Sequence, residues 1–169
     1  MSTSDIVSPT VVIGLGNPLM GDDGLGLAVL ERLRAEGVPP DVELVDGGTW
    51  GLALLPVIES ATRVLLIDAI DTGGAPGSLH ALERAEIPRY LATRVSPHQV
   101  DLQDVLALAE LRGTLPQETV AIGLQPAVVE MSFGLSEPVR SRLDDVVAAV
   151  LSRLAAWGHV APATANAGP

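Results

Sequence analysis

The segment Thr10-Val11-Val12-Ile13-Gly14-Leu15-Gly16-Asn17-Pro18 decides the fold class. Its β-branched start predicts a buried strand, and its glycines predict a tight turn where that strand ends. Apolar residues then recur at helical spacing from residue 25 to residue 34, and Gly37 with the prolines that follow it ends the helix. A strand that passes through a glycine turn into a helix is the opening unit of an α/β protein.

The same alternation continues along the chain. We predict further strands at 42–45, 63–67, 78–83 and 119–124, and further helices at 50–60, 100–111 and 136–157. Strand 63–67 is almost continuously apolar, which is typical of a central strand, whereas strand 78–83 alternates like an edge strand. The sequence therefore predicts an α/β three-layer sandwich with a mostly parallel sheet between helices. We expect one domain over residues 1–157 and a flexible Ala, Pro and Gly tail over residues 158–169.

Composition excludes several classes of function. The 169 residues include no cysteine, which excludes a disulfide scaffold, a thiolate metal site and a cysteine nucleophile. All 10 basic residues are arginines, so Schiff-base chemistry on a lysine is excluded as well. A net charge of −11 disfavours nucleic acid as a partner. No apolar run is long enough to span a membrane, and we expect a cytoplasmic monomer.

Polar side chains follow the predicted strands at the edge where parallel sheets carry function. Asp22 and Asp23 follow the first strand, and Asp68 directly follows the apolar third strand. A carboxylate at the tip of a central strand is expensive to hold without a partner. His98 stands just before a predicted helix, behind Pro97. Two carboxylates and one imidazole form a three-ligand metal set, although Asp22 and Asp23 are equally explained as helix caps.

Four motifs stand in order along residues 10–157 and together carry a specific resemblance. They are Gly14-Leu-Gly-Asn17-Pro-Leu-Met-Gly-Asp22-Asp23-Gly24-Leu-Gly26, Asp46-Gly-Gly-Thr49-Trp-Gly51, Ile67-Asp68-Ala69 and Ser96-Pro97-His98-Gln99. This set resembles the hydrogenase maturation endopeptidases, the proteases that finish the large subunit of nickel–iron hydrogenases. The resemblance implies a twisted, mostly parallel five-stranded sheet, and it implies removal of a C-terminal extension from the large-subunit precursor after nickel insertion.

The resemblance also implies roles for individual residues. Asp23, Asp68 and His98 would bind metal and serve as the catalytic groups of this metal-dependent endopeptidase. The metal would be nickel supplied by the substrate, and other divalent ions would occupy the site in the isolated protein. The motif that comprises Asp46, Gly47, Gly48, Thr49 and Gly51 would recognise the substrate. The first ligand is Glu in some members of the family and Asp in others, and Asp22 stays open as a competitor of Asp23.

Two alternatives remain at this stage. A non-catalytic chaperone that grips the nickel-loaded precursor would need the same ligands. A peptidyl-tRNA hydrolase also opens with Gly14-Leu-Gly-Asn17-Pro18, but that family needs a Tyr and a catalytic His soon afterwards, together with a basic surface. The nearest histidine after Asn17 is His80, and the charge of −11 is of the wrong sign.

Overall fold

The computed structural model describes residues 9–48, 51–88 and 102–160. The first half of the fold comprises β1 (Thr10–Leu15), α1 (Leu25–Glu36), β2 (Val42–Gly48), α2 (Leu55–Ser60) and β3 (Arg63–Ala69). The second half comprises β4 (Leu79–Glu83), α3 (Leu102–Leu111), β5 (Glu118–Leu124), α4 (Glu137–Arg140) and α5 (Leu143–Ala156). Short 3-10 turns at Gly21–Gly24 and Gly51–Leu54 precede α1 and α2.

The strands form one five-stranded sheet in the order β2-β1-β3-β5-β4. β2, β1, β3 and β5 are parallel, and β4 pairs antiparallel with β5 at one edge. The predicted mostly parallel sheet is confirmed, with β3 at its centre and β4 at its edge. Because four strands share one direction, their carboxyl ends meet at a single edge of the sheet, which is called the carboxyl edge below.

Two hydrophobic cores lie on opposite faces of this sheet. On one face α1 and α5 pack against alternate residues of the central strands, among them Val12, Leu65 and Ile122. On the other face α2 and α3 pack against the intervening residues, among them Val11 and Leu66. Side chains of a strand point alternately to its two faces, so each apolar strand supplies both cores. The predicted three-layer arrangement is thereby confirmed.

Several predicted boundaries differ from the structure. The helix predicted over 50–60 is a 3-10 turn followed by α2, because Pro56 has no N–H to donate and is tolerated only in a first helical turn. The helix predicted over 136–157 is divided into α4 and α5 at Arg142, whose backbone leaves the helical region with φ −111° and ψ 8°. Within the described ranges, every helix falls short of the length and apolarity that a membrane span requires.

The predicted boundary between domain and tail stays a prediction, because residues 161–169 lie outside the described ranges. His159, which we assigned to that tail, packs against the domain. Its Nδ1 lies 2.7 Å from Asp41 Oδ2 and its Nε2 lies 2.8 Å from Thr10 Oγ1. The side chain of His159 is only 7% exposed. The contact with Thr10 holds residue 159 at the start of β1, at the end of the sheet opposite the carboxyl edge.

Candidate active site

Asp23 is held at the carboxyl edge by the turn that follows β1. The backbone N–H of Asn17 donates to Asp23 Oδ2 at 2.8 Å, and this bond orients the carboxylate. Gly16 lies directly beneath, with φ 103°, and a Cβ there would stand 1.9 Å from the carbonyl oxygen of Asp23. A side chain at position 16 is therefore excluded by both backbone conformation and space. The glycine of the motif is what lets the Asp23 segment fold back over the strand.

Asp68 belongs to the adjacent strand. It is the second-last residue of β3, one residue further along than the strand predicted from sequence, and it is 5% exposed. Its Oδ1 accepts a hydrogen bond from the backbone N–H of Ala69 at 2.8 Å, which fixes the carboxylate. Burying a carboxylate at the end of a central strand costs free energy unless its charge is compensated. This cost favours a functional role for Asp68.

The start of α1 brings the segments of Asp23 and Asp68 together. A Cβ on Gly26 would stand 2.3 Å from the carbonyl oxygen of Leu15 and 2.5 Å from that of Ile67. Helix α1 therefore begins in direct backbone contact with the ends of β1 and β3, and the preceding 3-10 turn contacts β3. Asp23 and Asp68 consequently lie at the same end of two neighbouring strands, as the sequence predicts.

Asp22 has a different environment from Asp23. It is fully buried, and its carboxylate accepts hydrogen bonds from the backbone N–H groups of Ala127, Val128 and Ser136 and from the hydroxyl of Ser136. Burial by itself raises the pKa of Asp22, but these hydrogen bonds outweigh it and hold the pKa below its ordinary value. The helix-cap explanation of the two aspartates is wrong, since α1 begins behind Gly24 with no side-chain cap. Asp22 instead fastens the first motif to the loop between β5 and α4.

The second motif adjoins the first. β2 extends beyond its predicted end and includes Asp46, Gly47 and Gly48, because Asp46 pairs with Gly14 and Gly48 pairs with Leu15, and the register shifts at Gly47 between them. The N–H of Gly16 donates to the carbonyl of Gly48 at 3.0 Å. Asp46 is exposed at this edge. Gly51 opens the next 3-10 turn, and Thr49 lies outside the described residues.

The third predicted ligand, His98, lies outside the described residues, so its position relative to Asp23 and Asp68 stays a prediction. In the part of the chain that the structure describes, no three His, Cys, Asp or Glu side chains are grouped closely enough to hold a metal ion. His80, in the edge strand β4, is half-buried opposite Gly123. Its Nε2 lies 3.3 Å from the hydroxyls of Thr72 and Ser78, within a polar group that also contains Gln125.

Sequence reasoning missed the loop that joins β5 to α4. Ser136 occupies the N-cap position of α4, which the sequence Ser136-Glu137-Pro138 indicates, but its hydroxyl makes no capping hydrogen bond and donates to Asp22 at 2.8 Å. The loop also makes an isolated parallel bridge between Met20 and Ser132. No local pattern indicates a contact between residues so far apart in sequence. Phe133 is the one residue of this loop that could have indicated a functional role, because it is the single Phe in a chain with 2% aromatic residues.

Comparison with known proteins agrees with the resemblance of the motifs. The family model described as HycI, hydrogenase maturation protease, matches residues 27–153. A hydrogenase expression/formation protein, HupM, of Azotobacter chroococcum is 43% identical over 159 residues, covering 91% of this chain and 76% of that protein. The hydrogenase 2 maturation protease of Escherichia coli is 33% identical, covering 85% of this chain and 89% of that protein.

Solved structures give the same result. The hydrogenase maturating endopeptidase HybD of Escherichia coli superposes with a TM-score of 0.84 at 32% identity, covering 90% of this chain and 96% of that one. A [NiFe] hydrogenase maturation protease HycI from Thermococcus kodakarensis superposes with a TM-score of 0.68 at 27% identity, covering 88% of this chain and 93% of that one. The structural similarity therefore extends over about nine tenths of this chain.

Proposed function

The chain belongs to the hydrogenase maturation proteases, and we propose that it cleaves a C-terminal extension from the large-subunit precursor of a nickel–iron hydrogenase after nickel insertion. The observation that carries the proposal is the placement of Asp23 and Asp68 at one edge of the sheet, on motifs at the carboxyl ends of two adjacent strands. The precursor would present its C-terminal segment to this edge.

Asp23, Asp68 and His98 are proposed to complete the coordination of the nickel that the precursor carries. Two features support this donor set. Each aspartate is oriented by a backbone N–H, from Asn17 for Asp23 and from Ala69 for Asp68. Oxygen and imidazole donors suit a borderline divalent ion, and the chain contains no cysteine, so soft sulfur ligands come from the substrate. Nickel bound there supplies Lewis acidity that polarises the scissile carbonyl or a water molecule.

Asp23, and not Asp22, is the better first ligand. Asp22 has both carboxylate oxygens engaged by the loop between β5 and α4, and it is fully buried. Recruiting Asp22 to a metal would break those hydrogen bonds and release the loop. Asp23 is half-buried and faces the same edge as Asp68. The role of Asp22 is accordingly to position the segment that carries Asp23.

The motif from Asp46 to Gly51 is proposed to receive the peptide segment that is cleaved. Its support is location, because β2 lies at one edge of the sheet and the carbonyl of Gly48 is bonded to Gly16 of the first motif. Gly48 and Gly51 are partly exposed and have no side chain, so their backbone stays accessible to another chain, whereas Gly47 is buried against Ile13. An extended peptide lying along this motif would pass close to the Asp23 segment.

The test is intact mass of the cognate precursor, with and without nickel, after incubation with the protein. We expect loss of a C-terminal peptide only with the nickel-loaded precursor. Asp23→Asn, Asp68→Asn and His98→Ala should each reduce the cleavage rate by about a hundredfold or more. The matched control is Asp144→Asn, which changes an aspartate of α5 whose side chain is 82% exposed and pairs with Arg32 of α1. Full-rate cleavage of a nickel-free precursor would refute the role of nickel.

The family match decides against the two alternatives. A peptidyl-tRNA hydrolase is not supported, because the matching relatives are hydrogenase maturation proteins and proteases. A chaperone that binds without cutting would leave the mass of the precursor unchanged while retaining nickel-dependent binding. Cleavage at full rate by both Asp68→Asn and His98→Ala would mean that the metal-binding residues are assigned wrongly, even though the protein is a protease.

A further inference from the structure

Four large apolar side chains lie exposed beside the candidate site. Phe133 is 92% exposed, Met131 is 86% exposed, and Leu19 and Val129 are each 53% exposed. We call these residues, Leu19, Val129, Met131 and Phe133, the apolar rim. Phe133 is the single phenylalanine of the chain, and Met131 is one of three methionines. Only 2% of the residues are aromatic, and Phe is a residue type that usually packs in the core. Its almost complete exposure at position 133 therefore indicates a binding surface.

The apolar rim is built on hydrogen-bonded backbone. The N–H of Ser132 donates to the carbonyl of Leu19 at 3.1 Å, and the N–H of Gly21 donates to the carbonyl of Ser132 at 3.1 Å. The N–H of Asp22 donates to the carbonyl of Val128 at 2.8 Å. These bonds fix residues 128–132 against residues 19–22. Side chains displayed from a fixed backbone bind with less loss of conformational freedom than side chains on a loose loop.

The apolar rim is continuous with the candidate site. The turn of residues 19–22, which is one side of the rim, runs directly into Asp23 and is tied to the loop by the carboxylate of Asp22. A protein substrate whose peptide bond reaches Asp23 would therefore lie close to the rim. Aromatic and methionine side chains at such positions are the residues that most often anchor protein–protein contacts.

We propose that the apolar rim docks an apolar segment of the hydrogenase large-subunit precursor next to the bond that is cut, an inference that rests on the proposed function. Other occupants fit the observations less well. A net charge of −11 opposes binding to an anionic membrane surface. A second copy seated on the rim would cover the approach to Asp23. The rim thus acts as a docking surface for the precursor and takes no part in the chemical step.

The test compares two exposed apolar sites of the same chain. The double variant Phe133→Ser with Met131→Ser removes most of the rim, and Leu111→Ser is the matched control, since Leu111 is 84% exposed at the end of α3. With nickel-loaded precursor we expect the KM of the double variant to rise roughly tenfold or more, while kcat stays within about twofold. The Leu111→Ser variant should keep both constants.

Two further measurements separate the possible outcomes. The variant Phe133→Leu with Met131→Leu keeps the apolar area of the rim and should retain the KM of the unmodified protein. A higher KM in the serine variant alone would then reflect the loss of apolar area and not misfolding. Sedimentation should give the same mass for the unmodified protein and the serine variant. An unchanged KM in the serine variant would overturn the proposal, and so would a dimer that this variant dissociates. Neither result bears on the proposed ligands, which are tested separately by Asp68→Asn.

Discussion

The carboxylate of Asp22 accepts hydrogen bonds from both the backbone N–H and the hydroxyl of Ser136, 114 positions further along the chain. Two more N–H groups, those of Ala127 and Val128, complete its shell. This one buried side chain joins the turn after β1 to the loop after β5. The two segments carry, respectively, Asp23 and most of the apolar rim. The shape of the carboxyl edge consequently depends on a residue that we do not place among the metal ligands.

Replacing Asp22 should destabilise the protein strongly. In Asp22→Asn the amide group would face N–H donors that the carboxylate now satisfies, and buried donors would lose their partners. We expect the free energy of unfolding in urea to fall by about 3 kcal/mol. Ser136→Ala removes the hydroxyl and leaves the backbone N–H bond, so its loss should be about 1 kcal/mol. Equal losses in the two variants would contradict a central role for the carboxylate.

The contribution of Asp22 should also depend on pH in a defined direction. Hydrogen bonds hold its pKa in the folded protein below the ordinary value of 3.8, so folding favours the ionised carboxylate. The stabilisation is then complete above the unfolded pKa and is lost as the pH falls through the folded pKa. The difference in unfolding free energy between the unmodified protein and Asp22→Asn should be constant above about pH 5 and should shrink below about pH 4. If the difference in unfolding free energy grew as the pH falls, folding would raise the pKa of Asp22 and not lower it.

Gly26 should tolerate no side chain. A Cβ at this position would stand 2.3 Å from the carbonyl oxygen of Leu15, and backbone cannot move aside as a flexible side chain can. We expect Gly26→Ala to lower the free energy of unfolding by more than about 3 kcal/mol, or to prevent folding. Gly74→Ala is the control, since the nearest atom to its Cβ would be the Thr72 hydroxyl at 3.2 Å. The two variants can be compared by thermal unfolding followed by circular dichroism.

The sequence predicts which segments form strands and which edge carries the aspartates because the relevant signals are local, although β2 and β3 end at Gly48 and Ala69, beyond their predicted ends. β-branched runs, glycine turns and the aspartates that follow them lie within a few residues of each other, and parallel pairing then brings Asp23 and Asp68 to one edge. Two glycines of the first motif make close backbone contacts. Gly16 contacts the backbone of Asp23, and Gly26 contacts the backbone of Leu15 and Ile67. Those contacts explain why the first motif is specific.

The features that sequence did not predict are long-range or compete with a stronger local signal. Ser136 followed by Glu137-Pro138 is a typical helix start, so the sequence predicts a capping hydroxyl there and not a hydrogen bond to Asp22. Likewise the Ala, Pro and Gly composition after residue 157 favours a tail, whereas His159 is held by Asp41 and Thr10 from the other end of the chain. Such pairs are fixed by tertiary packing, which no window of neighbouring residues contains.

His159 should mark the end of the folded domain. Its ring bonds to Asp41 and to the hydroxyl of Thr10, which is only 2% exposed, so His159→Ala would leave a buried hydroxyl without this partner. We expect that variant to lose about 1–2 kcal/mol of unfolding free energy. A chain shortened after Val160 keeps His159 and should match the full-length protein in urea unfolding and in precursor cleavage. If the shortened chain instead loses as much stability as His159→Ala, residues 161–169 belong to the domain and the predicted tail is wrong.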